Sequence, residues 1–319
     1  MNTMIIDGLS YALPLLIIAC GGIFSERSGV TNLALEGFLG FGAFTGSLFV
    51  ALTSSWFSNG STVPMYLAFL FAMLGGGFYA LLFALLCIKF RANQVIAGVV
   101  INILSVALTG FLTSQINSSV FGEASNKFQL GVSPRWTVPG LSQIPVLGAV
   151  FTKFYPFEIL IVILVIFINY LLYKTRFGMH LRAAGDNPQA VDTAGISVAK
   201  VRFTAVVIAG MLAGLGGMCY AYSISTNFSP SIYFGAGYLA IAAMIFGNWK
   251  LMPTLAACLI FGLARSGAYQ LVGYLKLSSN YTNLALAIPY VLTLLLLIFF
   301  SKTNRAPRAL GEIYDKSKR

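Results

Sequence analysis

The chain has 319 residues, of which 58% are hydrophobic and 9% are charged, and its mean hydropathy is +0.83. This composition leaves too little polar surface to cover soluble domains of that size, so it indicates an all-α integral membrane protein and excludes large extramembrane domains. The net charge of +11 is then explained by basic loops on one side of a membrane, and no basic tract with interleaved aromatics indicates a nucleic-acid partner.

The predicted fold is a single polytopic domain, 1–319, of about nine transmembrane helices, with eight or ten as alternatives. A span needs roughly 20 apolar residues, and candidate runs lie at about 8–24, 32–53, 64–88, 95–115, 157–173, 203–224, 235–247, 253–272 and 284–300. The first run lacks a preceding basic segment, which favours a retained helix over a signal peptide. The short seventh run and the glycine-rich second run are candidates for half-helices or re-entrant segments.

Basic residues divide the connections between these runs into two sets. Fifteen Lys and Arg lie in one set, which includes the loop 174–202 and the tail 301–319, and four lie in the other. The positive-inside rule therefore places the first set and the C-terminus in the cytoplasm. The longest connection of the second set, about 117–156, contains four prolines and Trp136, which predicts a folded cap or a docking surface.

The loop 174–202 contains the signals of a short helix. Asn187 can accept hydrogen bonds from free N–H groups, and Pro188 at the first helical position loses no hydrogen bond. The helix is predicted to continue to Ala194 and to end at Gly195 in a left-handed conformation. Its small side chains would let another protein approach the backbone closely; an ordinary amphipathic connector is the alternative.

Two stretches resemble the signature sequences of bacterial ABC importer permeases that serve ribose, branched-chain amino acids and nucleosides. They are SERSGVTNLALEGFLGFGAF (25–44) and RFGMHLRAAGDNPQAVDTAGISVAKVR (176–202), and the resemblance extends from about Gly8 to Phe300. The form E-R-S-G-V-x-N-L-x-x-E-G, with Asn32 and Glu36, is most similar to the nucleoside permeases that use a lipoprotein receptor.

The resemblance implies a transport subunit of the bacterial plasma membrane without chemistry of its own. It implies four partners: a cytoplasmic ATPase that binds ATP and Mg²⁺, a second and non-identical permease, an extracellular lipoprotein that delivers a nucleoside, and the lipid bilayer. The absence of a G-x-x-x-x-G-K-[ST] motif agrees, and no cofactor or metal is expected in this chain. A sugar and a branched-chain amino acid are the alternative substrates.

The same resemblance implies that the helix from Pro188 to Ala194 is a coupling helix held in a cleft of the ATPase. The positions it assigns to this contact are Arg182, Ala183, Ala184, Gly185, Asp186, Asn187, Pro188, Ala190 and Gly195.

Polar and aromatic residues within the apolar runs are candidates for the translocation path, namely Asn32, Glu36, Asn102, Phe228, Phe246 and Arg265. Each also has a structural interpretation, because polar groups in a membrane need partners. Glu36 can pair with Arg27 or with a backbone N–H, and Asn102 and Gln94 can join helices. Arg265 needs a water-filled path or a polar cluster. Phe228, Tyr233 and Phe246 can stack on a nucleobase or close a gate.

Other functional classes are less well supported by the sequence. An enzyme is disfavoured because the single histidine, His180, lies in the loop 174–202, and no nucleophile motif or metal cluster is present. The four cysteines lie in or beside apolar runs and are predicted to pack in the core. An ion-coupled secondary transporter would use several intramembrane carboxylates, of which only Glu36 qualifies. A passive channel would need rings of carbonyls or charges.

Overall fold

A computed structural model describes residues 2–58, 61–131, 134–144, 147–230, 233, 235–276, 287–300 and 305–315. Within these ranges the protein is nearly all helical, which confirms the predicted fold class. The helices are α1 (Asn2–Arg27), α2 (Leu35–Thr53), α3 (Val63–Ala84), α4 (Gln94–Ile116), α5 (Pro156–Lys174), α6 (Arg176–Asp186), α7 (Pro188–Thr193), α8 (Val198–Tyr220), α9 (Ala236–Phe246), α10 (Leu251–Tyr274) and α11 (Ile288–Phe300).

Seven of the described helices are long and apolar enough to cross a membrane: α1 to α5, α8 and α10. Five-residue π-helical turns extend α3, α4 and α8. The seventh predicted run is the 11-residue helix α9, whose length of about 16 Å is roughly half of a bilayer core. A half-helix was one of the two structures that its sequence predicted. The ninth run contains α11, while its residues 284–286 lie outside the described residues.

The second predicted run differs from its expected broken form. After an irregular segment at 28–34, α2 is a continuous helix of 19 residues. Asn32 precedes this helix and Glu36 lies in its first turn, so neither interrupts it. Its glycines serve close packing, because a Cβ on Gly46 would meet the Ala68 carbonyl oxygen of α3 at 2.6 Å.

The centre of the bundle is formed by α1, α2, α3 and α8. Gly210 and Gly214 of α8 lie directly against Ala72 and Gly76 of α3, and a Cβ at either glycine would overlap backbone atoms. Small residues allow this close helix contact, which is the usual way to pack helices in lipid. On the periphery, α4 and α5 expose rows of large aliphatic side chains, as expected for surfaces in contact with lipid or another subunit.

The two ends of the bundle differ, and we name them by their contents. The basic face carries α6, α7 and residues 305–315. The cap face carries the connection between α4 and α5, whose strand β1 (Phe128–Gln129) pairs antiparallel with β2 (Asn227–Phe228), and whose Trp136 bridges to Phe154. The connection is therefore folded, as its prolines predicted.

Beneath the β1–β2 pair, Phe228 is fully buried among Phe44, Phe128 and Tyr233. Its ring centroid lies 5.8, 6.3 and 6.1 Å from theirs, respectively.

Candidate functional site

The short helix predicted in the loop 174–202 is present as α7, and it is capped as its sequence indicated. The side-chain oxygen of Asn187 accepts the N–H of Ala190 at 3.0 Å, and Pro188 occupies the first helical position. Gly195 has a φ of +79°, which a residue with a Cβ rarely adopts. The preceding helix α6 is capped in the same way, since Thr175 Oγ1 accepts the N–H of Gly178 at 3.2 Å. The two caps fix a rigid corner between α6 and α7.

Burial divides the nine residues assigned to the ATPase contact. Asp186, Asn187, Ala190 and Gly195 are exposed, Arg182 and Ala183 are half-buried, and Ala184, Gly185 and Pro188 are buried within this chain. The backbone of α6 touches the end of α1 at Gly185, where a Cβ would overlap the carbonyl oxygen of Arg27. The three buried residues thus hold the corner on the bundle, while the exposed ones offer a surface.

Residues 305–315, which we call the strap, lie across the basic face. The N–H of Ala309 donates to the carbonyl of Gly185 at 2.8 Å, and the N–H of Gly311 donates to the carbonyl of Gly29 at 3.1 Å. The strap also lines a cleft of about 310 Å³ with Asn187, Pro188 and Gln189. The segment therefore ties the α6–α7 corner to the turn that joins α1 and α2, rather than forming a freely solvated end.

Arg202 is the centre of this arrangement, although its place in the sequence indicates only a basic residue at the end of the loop 174–202. It is 3% exposed. Its Nε donates to the carbonyl of Ser28 at 3.0 Å, and its Nη1 donates to the carbonyl of Glu312 at 2.7 Å. A planar guanidinium can satisfy two carbonyls in fixed directions, so Arg202 joins α8 to both the α1–α2 turn and the strap.

A second group at the basic face joins α1 to the end of α9. Trp249 Nε1 donates to the carboxylate of Glu26 at 2.6 Å, and Arg27 Nε donates to the Trp249 carbonyl at 3.0 Å. The Glu26 carboxylate also accepts the N–H of Asn32 at 3.3 Å. Glu26 and Arg27 both fall inside the signature stretch 25–44, but the sequence indicates a possible partner only for Arg27.

Glu36 caps the half-helix α9. Its carboxylate accepts the backbone N–H of Gly235 at 2.9 Å and that of Gly237. The sequence suggested either Arg27 or a backbone N–H as the partner of Glu36. The structure shows backbone N–H groups, while Arg27 donates to the Trp249 carbonyl. A negative charge at a helix N-terminus satisfies otherwise unpaired N–H groups and interacts favourably with the helix dipole.

The polar residues of α4 join it to the start of α2, as the helix-joining interpretation of Asn102 and Gln94 expected. Asn102 Oδ1 accepts the N–H of Gly37 at 2.7 Å, and its Nδ2 donates to the Leu33 carbonyl at 2.7 Å and to the Tyr238 hydroxyl at 3.0 Å. Gln94 accepts the N–H of Thr31 at 2.7 Å. Two backbone groups of the irregular segment before α2, the Thr31 N–H and the Leu33 carbonyl, thus have their partners on a neighbouring helix.

The six candidate path residues do not converge on one channel. Glu36 and Asn102 meet at the start of α2, where Asn102 leaves 6% of its surface exposed. Phe228 lies in the aromatic cluster of the cap face, whereas Phe246 packs edge-on against Phe261 of α10 at 6.0 Å. Asn32 is buried, and its side-chain oxygen accepts the N–H of Ala34.

Arg265 lies apart from the other path candidates, in the half of α10 nearer the cap face. Its Cζ is 4.5 Å from the ring centroid of Tyr11.

Sequence comparison assigns the family. The model of the branched-chain amino acid transport system permease component matches residues 4–300. The chain belongs to this family. It is therefore a membrane transport subunit rather than an enzyme, which confirms the class that the two signature stretches indicated and decides against a secondary transporter or a channel.

Three relatives illustrate the range of similarity. The nucleoside ABC transporter permease protein NupC of Lactococcus lactis is 38% identical over 100% of this chain and 98% of its own length. The guanosine ABC transporter permease protein NupQ of Bacillus subtilis is 40% identical over 98% of this chain and 96% of its own. NupP, a second guanosine ABC transporter permease protein of Bacillus subtilis, is 26% identical over 78% and 69%. No solved structure matches the chain.

Proposed function

We propose that this chain is the permease subunit of an ATP-driven importer that carries nucleosides into the cell. The observation that carries the substrate class is similarity over the full length to permeases named for nucleoside and guanosine transport. The signature stretch with Asn32 and Glu36 favours the same class. In this proposal the chain belongs to a bacterial plasma membrane, with the basic face in the cytoplasm and the cap face outside.

The α6–α7 corner supports the docking of an ATPase on the basic face. Ala190 and Thr193 of α7, with Ala194 directly after the helix, form an exposed surface of small residues, and such a surface allows a partner to reach the backbone. The buried side of the corner is fixed to α1, α8 and the strap, so a push on α7 would move the helices behind it. The ATPase would bind ATP and Mg²⁺, and this chain would convert its movement into opening and closing.

Two further partners complete the proposed assembly. Two different guanosine permeases are named in one organism, Bacillus subtilis, and both are similar to this chain, which supports a second, non-identical permease. The folded connection of the cap face is the proposed docking surface for a lipoprotein receptor that delivers the nucleoside.

The substrate proposal is tested by uptake in a strain that lacks this chain. We expect uptake of labelled guanosine and uridine to fall to background and to return when the chain is supplied, while ribose and leucine uptake stays normal. Loss of ribose or leucine uptake with normal nucleoside uptake would refute the nucleoside proposal and leave the family assignment intact.

The assembly is tested by purification and by a reporter. The chain should copurify from membranes with an ATPase and a different permease, and a cytoplasm-active reporter fused after Arg319 should be active. ATP-driven uptake by a transporter whose sole membrane subunit is this chain would refute the unlike pair. An inactive reporter on an inserted protein would refute the orientation.

A further inference from the structure

A polar cavity of about 280 Å³ lies at the cap-face end of α1, α8 and α10. Its walls include Ser10 and Tyr11 of α1, Ser223 of the π-helical turn that follows α8, and Ser266 and Tyr269 of α10. One water needs only about 10–15 Å³ of such space. The cavity is therefore large enough for a small organic molecule.

Two hydroxyls of the cavity wall, those of Ser223 and Ser266, have no partner among the described residues. Nε of Arg265 and Nε2 of Gln270, on the neighbouring stretch of α10, are also without a partner there. Ser266 is 1% exposed and lines the cavity. Buried polar groups in proteins are almost always hydrogen-bonded, so the two hydroxyls of the wall are available to bond to a molecule held in the cavity.

The cavity also presents flat aromatic surfaces. The rings of Tyr11 and Tyr269 are nearly parallel, with an interplanar angle of 10° and centroids 6.5 Å apart. Aromatic side chains bind planar heterocycles by stacking, with modest preferences between bases that follow stacking strength. A branched-chain amino acid has no planar ring to use such surfaces, whereas a nucleoside has one.

Charges around the cavity are balanced. Asp7 and Arg135 line it, and Arg135 also donates to the Tyr155 hydroxyl at 2.7 Å. On the α1 wall, Ser10 donates to the carboxylate of Glu158 at 2.8 Å, and on the α10 wall Arg265 lies beside Tyr11. One carboxylate and one guanidinium in the cavity wall favour a neutral polar ligand over a phosphorylated one, for which a surplus of cations would be expected.

We propose that this cavity is the site at which the permease receives the nucleoside from outside, with the base stacked on the Tyr11 and Tyr269 rings. The hydroxyls of Ser223 and Ser266 bond to the sugar or to the edge of the base. The inference rests on the proposed function and adds to it the position of the site and the groups that contact the substrate.

Access to the site is tested with Ser266→Cys in the complete transporter, in intact cells. The four native cysteines are buried, so a membrane-impermeant thiol reagent should report on the new one. We expect labelling from outside and at least fivefold slower labelling with saturating guanosine. The control is Tyr274→Cys on the same helix, a position that is 85% exposed and should label equally with and without guanosine.

The outcomes of this experiment are separable. If Tyr274→Cys is not labelled from outside, the cap face is not external, and both the orientation and the outside entry fail. If Tyr274→Cys is labelled and Ser266→Cys is not, the cavity is closed to the substrate and the inference fails alone. Labelling of Ser266→Cys without protection by guanosine would mean a water-filled cavity, which also overturns the inference.

Contact with substrate is tested by the choice between nucleosides. Tyr269→Leu should lower guanosine uptake at saturation about five- to a hundredfold through lost stacking, and Ser266→Ala about two- to tenfold through a lost hydrogen bond. Tyr269→Leu should also change the ratio of guanosine to uridine uptake, because the two bases differ in stacking strength, whereas a merely structural defect would leave that ratio unchanged. Receptor affinity for guanosine should be unaffected.

Matched controls separate this site from general packing. Tyr274→Leu removes an exposed ring from the same helix, and Ser47→Ala removes a fully buried hydroxyl of α2 that lies outside the cavity. Both should keep the normal uptake rate and ratio. Normal rates and ratios in Tyr269→Leu and Ser266→Ala, in a transporter that carries nucleosides, would overturn the inference and leave the proposed function standing.

Discussion

The basic face and the cap-face cavity use buried polar groups in opposite ways. At the basic face these groups join segments of the chain: Arg202 bonds to two loops, and Glu26 bonds to Trp249. Arg202 Nη2 and Asn32 Nδ2 have no partner, but both side chains make other hydrogen bonds, whereas Ser223 and Ser266 at the cavity have their one side-chain polar atom unbonded. Polar groups that join segments make a rigid body for transmitting force, while unbonded ones suit a ligand that arrives and leaves.

The largest effect is expected at an exposed part of the basic face, on α7. Ala190 is exposed on α7, so Ala190→Arg should leave folding and membrane level unchanged. At an ATPase contact the longer side chain would cost about 1–3 kcal/mol by overpacking, and more if its charge is buried without a partner. Nucleoside uptake and substrate-stimulated ATP hydrolysis should be lost together.

Ala190→Ser is the matched control, because it keeps a small side chain at the same position. It should transport at nearly the normal rate. If Ala190→Arg also transports normally, the α6–α7 corner is an ordinary connector. The basic face would then receive no movement from an ATPase through α7.

The next largest effect is expected at Glu36, which lies between the two faces. Like the buried polar groups of the basic face, its carboxylate joins two segments of the chain, α2 and α9. Glu36→Ala leaves the N–H groups of Gly235 and Gly237 without their acceptor. Each buried unsatisfied group costs about 1–3 kcal/mol, so the solubilised transporter should lose thermal stability clearly. Glu36→Gln keeps one acceptor oxygen and should fall between the alanine variant and the wild type in a melting curve.

Equal melting curves for all three proteins would show that α9 does not depend on this cap. A loss of transport in Glu36→Gln with unchanged stability would instead place Glu36 in the translocation path, which is the other role that the sequence suggested for it.

A smaller effect tests how tightly the basic face is closed. Gly185→Ala places a methyl group against the carbonyl oxygen of Arg27, which should cost about 1–3 kcal/mol through the shift needed to relieve it. Gly273→Ala is the control, because no atom lies within 4 Å of its Cβ position. We expect a lower melting temperature for the first variant and an equal or higher one for the second, since alanine favours a helix over glycine.

An unchanged melting temperature in Gly185→Ala would show that the corner can move away from α1 at little cost. The basic face would then not be the rigid body that we contrast with the cavity.

Local patterns account for what the sequence could predict. The long apolar runs depend on residues close together in the chain, and so do the caps of α7 at Asn187 and Gly195. The strap is different, because its bonds to Gly185 and Gly29 use backbone atoms and carry no side-chain signal. The cavity likewise assembles α1, α8 and α10 from distant parts of the chain, so Ser223 and Ser266 could not be recognised as neighbours.

Arg265 shows both what the sequence can predict and what it cannot. Its sequence context indicated a water-filled path or a polar cluster, and the structure places it beside Tyr11 at the cavity. The sequence contained the reason for a polar environment but not the identity of the partner.

The smallest effect is expected at the end of the strap, where Arg91 binds Asp315 through two contacts of 2.6 and 3.1 Å. The Arg91 side chain is 52% exposed, and exposed ion pairs contribute only about 0.2–1 kcal/mol. Arg91→Ala should therefore speed hydrogen exchange of the Ala309 and Gly311 amides only about 1.4- to 5-fold, and less at high salt because charges are screened. The exchanged pair Arg91→Asp with Asp315→Arg should recover part of the protection that each single change loses, and the double-mutant cycle isolates the pair from the other contacts of Asp315. Protection lost more than tenfold in Arg91→Ala would mean that this exposed pair, rather than the buried Arg202 and the backbone bonds at Gly185 and Gly29, holds the strap on the basic face.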